Sequence, residues 1–307
     1  MSKTTLWYVN DEKKSFSNFN NILNKKIKNG FSSKFNTYPG FQMKELVHDD
    51  TLVLDSLSVL YCLYECSVTN SSGDLIHFLI IVFETNGKIG FVIEKTSGAL
   101  KLLRLLFDYG PADKLVITQE NYPSSGDIEK IFLLIIYKIY RQAGTVSKIY
   151  QKKKLKIILD SLDGIRGKTS GTLNSVSTQG NDVINMLSTL SFLLESSMLS
   201  DITVAFSFNR NDNISTVVHT NNSQSGITQL SIDVSEKKYS GYLRKKANGF
   251  SNSDLDFKKL RAKILLIVHL EVIPIIYSQI KVSQFARTKA TLKKKIVADL
   301  QNKLSKI

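Results

Sequence analysis

Cysteine is nearly absent from this chain: Cys62 and Cys66 are the only two in 307 residues. They lie four apart in a β-prone run. On a strand they share a face but stand roughly 13 Å apart at ~3.3 Å per residue. A disulfide needs Cα atoms within about 7 Å. The pair therefore reads as free, buried thiols in a reducing compartment, and with no companion Cys or His pair they predict no zinc site. Proline is also scarce, at four residues, while Leu, Ile, Val and Phe run throughout. That composition excludes broad disorder.

Long apolar runs are missing as well. The best membrane candidate, Ala262 to Ile280, is broken by Lys263, His269, Glu271 and Pro274. Its uninterrupted stretches fall far short of the ~20 residues needed to span a bilayer. The opening MSKTTLWYVNDEKK has no apolar core suited to a signal peptide. The expectation is a cytoplasmic protein with no transmembrane span.

Catalytic signatures are wanting too. No Gly-x-Ser-x-Gly elbow occurs. The four histidines, His48, His77, His219 and His269, are far apart, and none has a ligand partner three or four residues on. His77 and His269 lie within apolar runs and read as hydrogen-bonded core residues. Asp163 to Thr169 (DGIRGKT) approaches a phosphate loop, but Leu162 stands where the first glycine belongs. The segment after it is a poor helix, and a phosphate loop needs a helix N-terminus. Asp74, Glu84 and Glu94 are candidate nuclease carboxylates by composition. If Asn86-Gly87 is a hairpin turn, however, Glu84 and Glu94 sit five pairs apart, roughly 17 Å. The sequence predicts no catalytic residue, no metal site and no cofactor. A cryptic metal-dependent nuclease remains as a third reading.

What the chain does have is positive charge, unevenly placed. The net charge is +14. Residues 237–307 hold 17 Lys/Arg against 4 Asp/Glu, a net of +13; the preceding 236 residues hold 24 against 23, a net of +1. Crowded like charge destabilises a compact state, and a polyanion, nucleic acid or an anionic membrane, offsets it; the alternative is a solvated basic surface that aids solubility. Three basic segments stand out. Lys152, Lys153, Lys154, Lys156, Arg166 and Lys168 form the first. Arg244, Lys245 and Lys246, beside Tyr239 and Tyr242, form the second. The third is the C-terminal helix, with Arg287, Lys289, Lys293, Lys294 and Lys295. Lysine and arginine bind phosphates through counterion release without reading sequence, and neighbouring tyrosines can stack on unpaired bases.

The element pattern is mixed. Thr4–Val9 reads as a strand and Ser15–Lys28 as a helix stopped by Gly30. Residues 31–50 look like a loop around Tyr38-Pro39-Gly40. Leu57–Thr69, Leu75–Thr85 and Ile89–Ile93 form an antiparallel meander, apolar on both faces and so covered on both. A helix from Gly98 to Tyr109, capped by Ser97, supplies one cover. Leu115–Thr118 is a short strand and Asp127–Ala143 a core helix. Val146–Leu162 reads as helix, Gly164–Gly180 as a flexible loop and Asp182–Ser196 as a helix. Thr203–Asn209, Ile214–Thr220 and Ile227–Val234 form a second small β unit, with a turn at Arg210–Asn213. Leu255–Ile273 reads as helical, with a buried strand as the alternative, and Pro274 interrupts it. Ser283–Ile307 is a helix with an apolar stripe at Phe285, Leu292, Ile296, Leu300 and Leu304.

The fold expected is α+β or α/β. It divides into a scaffold unit (1–145), a second unit of basic helix, loop and small sheet (146–250), and a basic helical C-terminus (251–307). The spacing of apolar positions from Ile149 through Gly164-Ile165-Arg166-Gly167-Lys168 to the Asn181–Glu195 segment resembles the middle of McrC-type restriction subunits. The lysine motif of the nuclease in that family is missing. The resemblance implies a mobile-element or phage-defence assembly. The expected function is sequence-independent, non-catalytic nucleic-acid binding. The alternative is oligomerisation or docking on a protein partner through 283–307.

Overall fold

The computed structural model describes residues 2–11, 14–54, 57–95, 97–110, 112–113, 115–120, 147–152, 155–169, 176–179, 196–208, 211–220, 228–233, 254–278 and 285–305. The chain is α+β and divides into two units, one of residues 1–120 with 234–269, the other of 121–233 with 270–307. The C-terminal segment is thus shared between both. The expected helices at 127–143 and 182–195, and the basic stretch 237–249, lie outside the described residues.

In the first unit β1 (Ser2–Val9) leads to α1 (Phe16–Asn29). The Ser15 hydroxyl accepts from the Asn18 N–H and caps that helix. The meander follows as β2 (Gln42–Val53), β3 (Ser58–Thr69), β4 (Leu75–Thr85) and β5 (Lys88–Ile93). Asn70 organises the β3–β4 turn, its side-chain oxygen accepting from the N–H groups of Ser72 and Asp74 at 2.9 and 2.8 Å. Asn86 and Gly87 both have positive φ, 50° and 72°, as the β4–β5 hairpin requires. The sheet order is β2-β3-β4-β5-β1. α2 (Ala99–Leu106) and β6 (Ile117–Gln119) complete this part, with β6 pairing antiparallel to the end of β1.

Both sheet faces are covered, as their apolar pattern demands. On one, Cys62, Tyr64 and Cys66 of β3, Ile80 and Val82 of β4 and Phe91 of β5 pack with Phe19 and Leu23 of α1 and Leu102, Leu103 and Leu106 of α2. Phe19 meets Phe91 and Phe107 edge-on, with centroids at 5.8 and 4.8 Å. α3 (Asp254–Ile267) serves the other face. It reaches Glu65, on the opposite side of β3 from the cysteines, and its continuation places His269 against Thr4.

Four expectations change here. Residues 31–50 are not a loop: a 3-10 turn occupies Ser33–Thr37, and β2 starts at Gln42. The β2–β3 register slips between Glu45 and Val47 and again between Val47 and Asp50. Bulges of this kind scramble the two-residue alternation that marks a strand. Ser97 does not cap α2; Gly98 does, in the left-handed region at φ 70°, with no side-chain cap. The His77 side chain is 58% exposed rather than in the core. The interruption expected at Pro274 falls just before it. A wide π turn, Val268–Val272, precedes it, and Pro274 is the second residue of α4 (Ile273–Ser278). Proline donates no backbone N–H and is well tolerated at a helix start.

The second unit is an antiparallel sheet of β7 (Ser147–Lys152), β8 (Leu155–Thr169), β9 (Val176–Gln179), β10 (Ser196–Phe208), β11 (Asn211–Thr220) and β12 (Thr228–Ile232). Its order is β12-β11-β10-β8-β7, with β9 also pairing β8. The helix expected over Val146–Leu162 is instead the β7–β8 hairpin. Ile149, Tyr150, Ile157 and Ile158 are strand formers, and the lysine run hides where one strand gives way to the next. The expected loop Gly164–Gly180 is strand through Thr169 and again at Val176–Gln179, because β10 and β9 offer pairing edges to weak β-formers. β11 starts within the turn expected at Arg210–Asn213, since Phe208 already pairs with Asn211. α4 packs on β7. α5 (Phe285–Leu304) closes the chain and buries Leu292 and Ile296.

Candidate functional site

The basic C-terminal region separates into two sets. On α3 three cations face inward and find carboxylates from early in the chain. Lys258 Nζ lies 2.6 Å from Glu65 of β3, and Lys263 Nζ 3.2 Å from Asp50 of β2. Arg261 Nε donates to Glu94 Oε1 at 2.6 Å. Burial pushes the Glu94 carboxyl up from its ordinary range, and the Arg261 charge and hydrogen bond pull it back down. A hydrogen bond from Tyr61, with the Lys263 charge, draws Asp50 below the usual carboxylate range. These three cations are structural staples.

On α5 the arrangement is the reverse. Arg287, Lys293, Lys294 and Lys295 are exposed, and none pairs with a carboxylate among the described residues. At 100° per residue Arg287 and Lys294 stand opposite the buried Leu292–Ile296 edge, and Lys293 and Lys295 flank them. Lys289 belongs to the same helix. The expected apolar stripe is shorter than the sequence implies. Leu300 is half-buried, whereas Leu304 is 61% and Val297 42% exposed.

The first basic segment does not hold together as one cluster. Lys152 pairs with Leu155, and Lys156 with Gln151, so both stand at the tip of the β7–β8 hairpin. Arg166 and Lys168 lie ten to twelve residues along β8, about 35 Å away at the usual rise. Lys153, Lys154, Tyr239, Tyr242, Arg244, Lys245 and Lys246 lie outside the described residues.

The candidate nuclease carboxylates are dispersed. Glu84 pairs with Ile89 as the hairpin predicts, Glu94 is engaged by Arg261, and Asp74 accepts from Asn70 in the β3–β4 turn. The near phosphate loop lies within β8, with Lys168 opposite Met198 of β10. His219 is a β11 residue opposite Asp201. His269 is buried and shares a 2.9 Å hydrogen bond with Thr4.

A second cluster escaped the sequence reading altogether. Cys62 on β3 is fully buried, and the bulged part of β2 wraps over it. The donor atoms of Glu45, His48 and Cys62 lie within 4.8 Å of one another. His48 Nδ1 is 2.7 Å from Glu45 Oε1, and Nε2 is 3.4 Å from Asp49 Oδ2. Cys62 Sγ donates to Asp49 Oδ1 at 3.2 Å and accepts from the Asp49 N–H at 3.4 Å. The hydrogen bond to Glu45 raises the His48 pKa, and burial pushes the Cys62 thiol up to about 12. The spacing of Glu45 and His48 carries no such signal, because residues three apart on a regular strand point to opposite faces; the β2 bulges bring them together.

No known protein family matches the chain. No curated protein matches it either. The resemblance to McrC-type subunits rests on apolar spacing alone. Among the described residues no helix is long and apolar enough to cross a membrane.

Proposed function

We propose that this protein binds nucleic acid through the outer face of α5, gripping phosphates without reading sequence. One observation carries the reading. Arg287, Lys293, Lys294 and Lys295 stand exposed without a carboxylate partner among the described residues, whereas α3 spends its inward cations on the sheet. Four such cations, Arg287 and Lys294 outermost with Lys293 and Lys295 to either side, release counterions when they meet a phosphate backbone. Lys152 and Lys156 at the hairpin tip are secondary contacts. The two free thiols fit a reducing, cytoplasmic setting.

The test is retention of duplex DNA, single-stranded DNA and RNA by the full chain across a salt series. Affinity falls steeply with salt. Reversing Lys293, Lys294 and Lys295 to Glu lowers it for every sequence and flattens the slope of log K against log salt by about three. No retention at low salt, or an unchanged slope in the variant, overturns the proposal.

A second reading has its own support. Val297 and Leu304, seven residues apart on one side of α5, are exposed. Such a strip suits docking against another helix. Light scattering of V297E/L304E separates the two: loss of an oligomer with nucleic-acid binding intact assigns the strip to assembly.

A further inference from the structure

We propose that Glu45, His48 and Cys62 form a binding site for a thiophilic divalent cation of the Zn2+ class. The site is independent of the basic face on α5.

The backbone makes the juxtaposition. In a regular strand, residues three apart point to opposite faces, so Glu45 and His48 would not meet. The β2–β3 register runs Glu45 to Tyr64, Val47 to Leu63 and Asp50 to Tyr61. Two residues of β2, His48 and Asp49, therefore face the single residue Cys62, and Asp49 takes φ 46° to allow it. The bulge turns His48 back over the thiol and brings Glu45 beside it.

The donor set is chemically specific. One sulfur, one imidazole and one carboxylate suit Zn2+ and its neighbours in the transition series rather than Mg2+ or Ca2+, which take oxygen alone. Zinc–ligand bonds of ~2.0–2.3 Å place tetrahedral donors roughly 3.3–3.8 Å apart. The three donors already lie within 4.8 Å. The remaining adjustment falls on His48, whose side chain is 58% exposed and would exchange its hydrogen bond to Glu45 for the metal. Asp49 touches both Cys62 and His48, and serves as fourth ligand or as the outer partner that orients them. Behind it, Asn20 Nδ2 donates to Asp49 Oδ1 at 3.4 Å, and Tyr64 donates to Asn20 at 3.3 Å. Cys62 closes the floor from the core, and the His48 side opens to solvent, which leaves an entry path. Binding replaces the thiol proton with the metal.

The test uses the full chain, stripped with chelator and titrated with Co2+ and then Zn2+. Wild type takes up one equivalent of Co2+, with a thiolate-to-cobalt charge-transfer band that Zn2+ abolishes. His48→Ala and Glu45→Gln, both at accessible positions, weaken binding by at least tenfold while circular dichroism stays native. Absence of the charge-transfer band in wild type overturns the proposal. So does a His48→Ala chain that binds Co2+ as tightly as wild type with the same band.

Discussion

Arg261 and Glu94, 167 residues apart in sequence, meet at 2.6 Å and tie α3 to the end of β5. The Glu94 side chain is 3% exposed, and its other oxygen accepts from the Leu79 N–H at 3.1 Å. Arg261 also donates to the Ser2 hydroxyl at 2.7 Å. One guanidinium thus joins α3, β5 and the start of β1.

Removing only the cation leaves a buried charge uncompensated. Arg261→Met is expected to cost about 3–5 kcal/mol in urea unfolding. The double variant Arg261→Met/Glu94→Gln should recover most of that loss, since no charge is then stranded. A double variant as unstable as the single one would show that the helix contact, not the charge, matters.

Burial depresses the His269 pKa to about 3, against an ordinary value of ~6.5. The unfolded chain binds a proton at this residue before the folded chain does. Its stabilising contribution is therefore complete above about pH 6.5 and is lost as pH falls toward 3. Between pH 7.5 and pH 5 the loss is about 2 kcal/mol. His269→Asn should flatten the stability profile over that interval, and an unchanged profile would refute the assignment.

Gly90 faces the Phe83 ring across β4 and β5. A Cβ there would come within 2.4 Å of Phe83 Cζ and 2.9 Å of the Trp7 carbonyl oxygen. Phe83 is fully buried and edge-packed on Tyr8, so it has little room to yield. Gly90→Ala should destabilise by about 1–3 kcal/mol. Phe83→Leu in the same chain should return part of it, as thermal melts would show.

Both thiols are buried, and burial raises both pKa values, Cys62 to about 12 and Cys66 also far above the ordinary range. The thiolate is the reactive species. The metal-free native chain should leave Ellman's reagent unreacted, and the chain in denaturant should consume two equivalents. Rapid native labelling of either cysteine would contradict the burial.

Much of the first unit was legible from residues alone. Continuous β-prone apolar runs, the Asn86-Gly87 turn and the helical spacing after Ser15 are local signals, and each resolves within a few residues. The free cysteines and the hairpin register follow from the same local geometry. The second unit was harder. Its strands carry lysine, serine, threonine and glycine, so their β structure comes from the edges that β8 and β10 present to each other, a pairing of residues tens of positions apart.

Charge shows the same division. The sequence by itself determined how many cations lie near the C-terminus, which strands are apolar on both faces and where the meander turns at Asn86-Gly87. Only the tertiary structure decided which of those cations are neutralised on α3 and which stay exposed on α5. It alone set Glu45 and His48 over Cys62, because a bulge and a long-range ion pair depend on where a partner strand comes to rest. No window of sequence contains that partner.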